Sequence, residues 1–329
     1  MNQDEFSSTI INTKQFGPIV TLHYAPKKRT GLPMSVSIAP GKGSNLFSWT
    51  YGDNDIIYCD KKLLAKCGFT GNFILFPTPN RVKNFTYRWN DKDIVMKKRG
   101  KIVELHGLVF TEPWDYEKPK INKHSISLTC SISITKNSPL YEAFAFPCRL
   151  TVVYTLYSNS VCVEYTVKNN SNEALPFGFA LHPYFNRLSG DNQTYIRVPA
   201  KHWMESPKDT LLPTGKLIDV AGKAYDIRKA AAVGKLALDH VYTGLTPHAF
   251  ASIDYRTKHF RVDLKTSKEF THAVVYTGEP HAVCIENQTC STDAHNLWAK
   301  GFKKESHLII VAPGQETRGF IEYSITPYK

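Results

Sequence analysis

The chain reads as all-β, a single large antiparallel β-sandwich with few short helices, and three observations predict this. Apolar and polar residues alternate along most of the 329 positions, which is the period-two pattern of half-buried strands. Turn sequences such as PGKGSN, KNNSNE, LPTGK and APGQE recur at the spacing of many short strands. Helical periodicity is confined to brief stretches, with DIRKAAAVG at 226–234 the best candidate.

The elements follow in order. SISLTCSISIT (125–135) alternates cleanly and predicts a strand. RLTVVYTLY (149–157) and VCVEYTVK (161–168), joined by SNS, predict a hairpin of β-branched and aromatic residues around a short polar loop. HLIIVA (307–312) and TRGFIEYSIT (317–326) read as further strands. No Pro/Ser-rich linker, composition break or solenoid-length repeat divides the sequence, so residues 1–329 are expected to form one domain. Two large sheets packed face to face are the expected layers; a closed barrel or a propeller would carry the same alternation. GKGSNL at 41–46 lacks the third glycine and following helix of a dinucleotide loop.

Composition narrows the function. Apolar residues at 42% fill a large core, and 21% charged residues argue against disorder. No apolar run reaches the roughly 18 residues of a membrane span, and the first twenty positions do not read as a signal peptide. Seven scattered cysteines, an odd number, suit free thiols in a reducing compartment; a cytoplasmic location is expected, where the two NQT sequons at 192–194 and 287–289 carry no sugar. The net charge of +12 (41 basic minus 29 acidic) is spread in short groups such as KPKINK and MKKRGK. It reads as a solvated surface, with no nucleic-acid partner.

Two strands prepare a place for chemistry. In FGFALHPYFNR (177–187), Phe177, Phe179 and Leu181 share one side, and Gly178, Ala180 and His182 the other. The second side is bare up to an imidazole, as though a ligand lies against it. In HAVCIENQTCSTDAHN (281–296), Ala282 and Cys284 lead in the same way to Glu286. ELHGLVFTEPW (104–114) places His106 before a glycine that permits close backbone approach. FPTPNRV (76–82) carries Asn80 and Arg81 on a proline-stiffened segment, and LALDHVYTGL (236–245) carries Asp239 after an apolar run. His281, Cys284, Cys290 and His295 lack the spacing of a zinc site, and no GxSxG elbow is present. No metal or cofactor is expected.

HPYFN at 182–186, NR at 80–81, HG at 106–107, LPTG at 212–215, LDH at 238–240 and CIENQT at 284–289 together resemble the aldose 1-epimerase (galactose mutarotase) family, in the family's order. The resemblance implies a β-sandwich with a sugar in an open cleft. It makes His182 the general acid and Glu286 the general base, with His106 a second active-site histidine. Arg81 and Asp239, with Asn80 beside them, would hold the sugar hydroxyls. Arg187 stands where leucine is common and Asn287 where proline is frequent; both are expected at the cleft rim, tuning sugar preference.

Interconverting anomers takes a proton from the C1 hydroxyl and gives one to the ring oxygen, which fits an ionised glutamate and a partly charged histidine at neutral pH. The expected partner is a small aldose, on a monomer or homodimer. Three rival readings are a hexose-6-phosphate mutarotase, a non-catalytic sugar-binding protein on the same fold, and a glycosidase using Asp239 and Glu286 as its carboxylate pair.

Overall fold

Strand alternation governs the structure, a computed structural model that describes residues 5–27, 31–246 and 249–329. The 149–157 and 161–168 hairpin forms as Cys148–Leu156 paired with Ser160–Asn169. The 125–135 strand forms as Ser125–Ile134 and the 317–326 strand as Glu316–Pro327. HLIIVA forms only the short strand Ile309–Val311.

Among the described residues Ile309–Val311 pairs only with Leu175–Phe177, the other strands named join a ten-stranded sheet, and a second sheet has twelve strands. The two pack face to face. Trp49 and Phe185 of the larger sheet meet Tyr323 of the smaller at ring distances of 6.0 and 5.8 Å, and Phe179 stacks on Tyr165 at 4.2 Å. One continuous hydrophobic core runs between them. Each large side chain fully buried there, such as Phe185, contributes roughly 1.5–3 kcal/mol of transfer free energy.

Helices are short. Lys61–Ala65 starts at Asp60, whose carboxylate accepts from the N–H groups of Lys62 and Leu63. Ala294–Ala299 follows Asp293. The helix expected at 226–234 does not form. Ala231–Ala232 instead pair with Tyr195 and Ile196, and Asp226 turns back to bind Arg228. Nine residues make a marginal helix alone, so edge pairing overrides the alanine propensity.

Five neighbouring strands of the larger sheet build the region of interest, in the order Asn72–Leu75, Ala180–Asn186, Ala282–Gln288, His272–Tyr276 and Asp239–Leu245. Leu181 and Phe185 enter the core between the sheets. Ala180 and Tyr184 pack on the opposite face with Phe73, Leu75, Ala282 and Cys284. That opposite face carries the ionisable groups.

Candidate active site

Strand register brings His182 and Glu286 together. Ala180 pairs with Gln288 and Tyr184 with Cys284, so the same register sets His182 opposite Glu286. Tyr184 turns its backbone toward the Gly71 and Tyr58 side, donating to Gly71 and accepting from Tyr58. His182, two residues away, turns the same way, making it a non-hydrogen-bonded partner of Glu286, the kind of pair in which side chains approach most closely. His182 Nε2 lies 3.2 Å from Glu286 Oε1. Pro183, between the two aromatic positions, has no N–H to donate and stays extended, as a strand residue must.

The floor around the pair is apolar. Phe73, opposite His182 on the neighbouring strand, lies nearly parallel to its ring at 4.8 Å, and Tyr184 does so at 4.9 Å. On its other side Glu286 faces Val274. His182 and Glu286 are 4% and 2% exposed, so burial decides their protonation. It lowers the imidazole below its ordinary range and raises the carboxyl well above its own; the charge of Asp239 adds to the latter, while the Gln288 hydrogen bond and Arg81 oppose it. The sequence-based expectation of an ionised glutamate and a partly charged histidine at neutral pH is therefore corrected. Burial disfavours both charges, and at 3.2 Å the two groups are close enough to share one proton.

His106 comes from a segment of unusual backbone. His106 and Gly107 both have positive φ, 64° and 77°. A Cβ at Gly107 would lie 2.3 Å from the Phe76 carbonyl oxygen, so the close approach read from the sequence is made to the chain's own backbone. The turn sets the His106 ring edge-on to His182 at 5.0 Å and edge-on to Phe69 at 5.0 Å. Burial, then the neighbouring His182 and Arg81, hold His106 well below the usual imidazole range, and thus neutral.

Asn80 and Arg81 are strapped in place on both sides. Asn80 accepts from the His106 N–H at 2.9 Å, and the Arg81 carbonyl accepts from the Asp293 N–H at 3.0 Å. Arg81 Nη1 donates to Asn80 Oδ1 at 2.9 Å. Asp239 opens its strand, half-buried; burial raises its carboxyl and the Arg81 charge partly offsets this. All six candidate residues thus gather on or beside one sheet face. Tyr58, Arg81, Phe110, Asp239 and Tyr276 are half-buried, and Phe69 is 41% exposed, forming a partly solvent-facing rim above the buried pair.

Three sequence expectations change. The bare side at Gly178 faces no ligand: a Cβ there would meet Cys290 Sγ at 2.2 Å and Pro79 Cδ at 2.7 Å. Arg187 is a clamp, donating to the carbonyls of Thr277, Glu279 and Ala282 and to Asp191. Asn287 points away from Glu286, and lines a cavity of about 530 Å³ with Thr243 and Thr271 at the other end of these strands. That cavity touches neither His182 nor Glu286. Asn186 donates to the Asp55 carbonyl. Phe73 escaped sequence reading because NFIL at 72–75 is apolar after Asn72, with no polar alternation to assign its faces.

All seven cysteines are free. Among the described residues no cluster of histidine, cysteine or acidic side chains has metal-site geometry, and no helix is long and apolar enough to cross a membrane.

Two face-packed antiparallel sheets thus carry a buried His–Glu pair on one outer face. The chain belongs to the aldose 1-epimerase family, whose match spans residues 30–324. It is similar to human galactose mutarotase, at 26% identity over 61% of this chain and 57% of that protein. The chain thus spans little more than half of that relative's length. An uncharacterised Escherichia coli protein, YihR, is 23% identical over 68% of this chain and 71% of its own. In structure it is similar to a galactose mutarotase-like protein from Clostridium acetobutylicum, with a TM-score of 0.81 at 21% identity over 98% of both chains. It is also similar to galactose 1-epimerase from Lactobacillus acidophilus, with a TM-score of 0.78 at 14% identity over 98% and 99% of the two chains.

Proposed function

We propose that this chain is an aldose 1-epimerase that interconverts the α and β anomers of a free hexose such as galactose or glucose. The observation that carries this reading is the 3.2 Å contact between His182 Nε2 and Glu286 Oε1. Mutarotation needs one proton removed at O1 and one delivered at the ring oxygen. With the shared proton on His182, Glu286 accepts the O1 proton while His182 protonates the ring oxygen. The C1–ring oxygen bond breaks and the open-chain aldehyde forms. Rotation about C1–C2 presents the other carbonyl face, and both transfers run backwards as the ring closes. The pair carries one proton and no net charge at each end of the step, so a buried apolar floor suits it.

Arg81, Asn80, Asp239 and His106 are assigned to holding the sugar. The external charges acting most on Glu286 are one carboxylate, Asp239, and one guanidinium, Arg81. That balance favours a neutral hexose over a hexose phosphate. Seven free thiols suit a reducing compartment, and we place the enzyme in the cytoplasm.

Polarimetry on fresh α-galactose and α-glucose tests the reading, with glucose 6-phosphate alongside. The wild-type chain is expected to accelerate mutarotation of the free sugars, and His182→Ala or Glu286→Gln to lose about 10²-fold or more of that rate. Calorimetric sugar binding without acceleration would make it a binding protein, and a preference for the phosphorylated sugar would reassign the substrate.

A further inference from the structure

We infer that Gln288 is a positioning residue for Glu286: its side-chain amide holds the carboxylate through Oε2 and so presents Oε1 to His182 and to the sugar. The role rests on the mutarotase reading above and adds a group to it.

Gln288 lies two residues beyond Glu286 on the same strand and therefore on the same face. Its Nε2 donates to Glu286 Oε2 at 3.3 Å, while His182 takes Oε1. The carboxylate thus has one side-chain partner for each oxygen. Gln288 is completely buried, and its own Oε1 has no partner. A buried amide with an unpaired oxygen is costly. Across the two adjoining strands Gln288 faces Ala180 and the buried His272, with Val274 and Val241 beyond. The side-chain hydrogen bond of its amide goes to Glu286, so the contact with that carboxylate is the amide's use.

That use follows from donor chemistry. An ionised carboxylate only accepts, and an N–H at Oε2 favours that form. With the single proton shared by the pair, favouring the Glu286 anion places the proton on His182, which is the arrangement from which ring opening starts. The other groups facing Glu286 are His182 and Tyr184 from the neighbouring strand, Asp239 and Arg81 from separate segments, and Cys284 on its own strand. Asp239 opposes the anion; Arg81 and Gln288 support it.

Gln288→Met removes the donor and keeps the length. The maximal rate is expected to fall about tenfold, the worth of one hydrogen bond to a charged group, with KM unchanged and the alkaline limb of the pH–rate profile moved to higher pH. Gln288→Glu keeps the shape and adds a second carboxylate, so the limb should move further up; this variant serves if the methionine one does not fold. An unchanged rate, or a fall with both limbs in place, would overturn the inference and leave Gln288 structural. An inactive wild type would instead remove the mutarotase reading. In that event the Glu286 carboxyl titration, followed by ¹³C NMR and identified by its loss in Glu286→Gln, still decides: an upward shift in Gln288→Met supports the contact's role, and no shift refutes it.

Discussion

Arg187 stands one residue past the HPYFN stretch and donates to the Thr277 and Glu279 carbonyls at 2.8 and 2.6 Å, tying the His182 strand to the turn that leads into the Glu286 strand. With the Ala282 carbonyl and Asp191 as further acceptors, a single guanidinium fixes the bottom of the site from outside it.

Replacing Arg187 by leucine therefore acts on stability before chemistry. The variant leaves three carbonyls without their donor. It should lose about 1–3 kcal/mol by denaturant titration, with KM and the sugar preference unchanged. An altered galactose-to-glucose ratio would return this position to the rim.

The shared proton sets the pH response. Burial lowers the His182 imidazole, so a second proton enters the pair only below the ordinary value of 6.5. Burial raises the Glu286 carboxyl, so the last proton leaves only well above 4.5. The one-proton state lies between those two steps, so the acid limb of the polarimetric rate, corrected for the spontaneous reaction, should lie below pH 6.5. An acid limb centred at 6.5 would mean that His182 behaves as an ordinary isolated imidazole.

Gly107→Ala should damage both stability and rate. The position has φ of 77°, and the added carbon falls on the Phe76 carbonyl. Strain of about 1–3 kcal/mol and displacement of His106 are expected, read as a lower melting temperature together with a raised KM. A melt and KM matching the wild type would show that the turn relaxes freely.

Much of this was legible in the sequence, for a physical reason. Side chains of a strand alternate, so Phe177, Phe179 and Leu181 announced the core, and His182 and Glu286 announced the opposite face. The partnership between the last two could be expected only through family resemblance, because register between strands a hundred residues apart leaves no local trace. Arg187 was misread as a rim residue because its acceptors are backbone carbonyls, which every sequence contains. Gly178 was misread because a missing side chain makes room equally for a ligand or for Pro79 and Cys290. The 226–234 segment failed because its alanines satisfy an edge strand as well as a helix. Protonation states were illegible, since they depend on burial that only the folded sheets create.

The alternation that places Leu181 and Phe185 in the core is the same one that turns His182 outward. A slip of this strand by a single position would take two large hydrophobes out of the core between the sheets and put the imidazole there. Misaligned molecules are thereby disfavoured by their own instability, and a chain that folds arrives with its His–Glu pair already assembled.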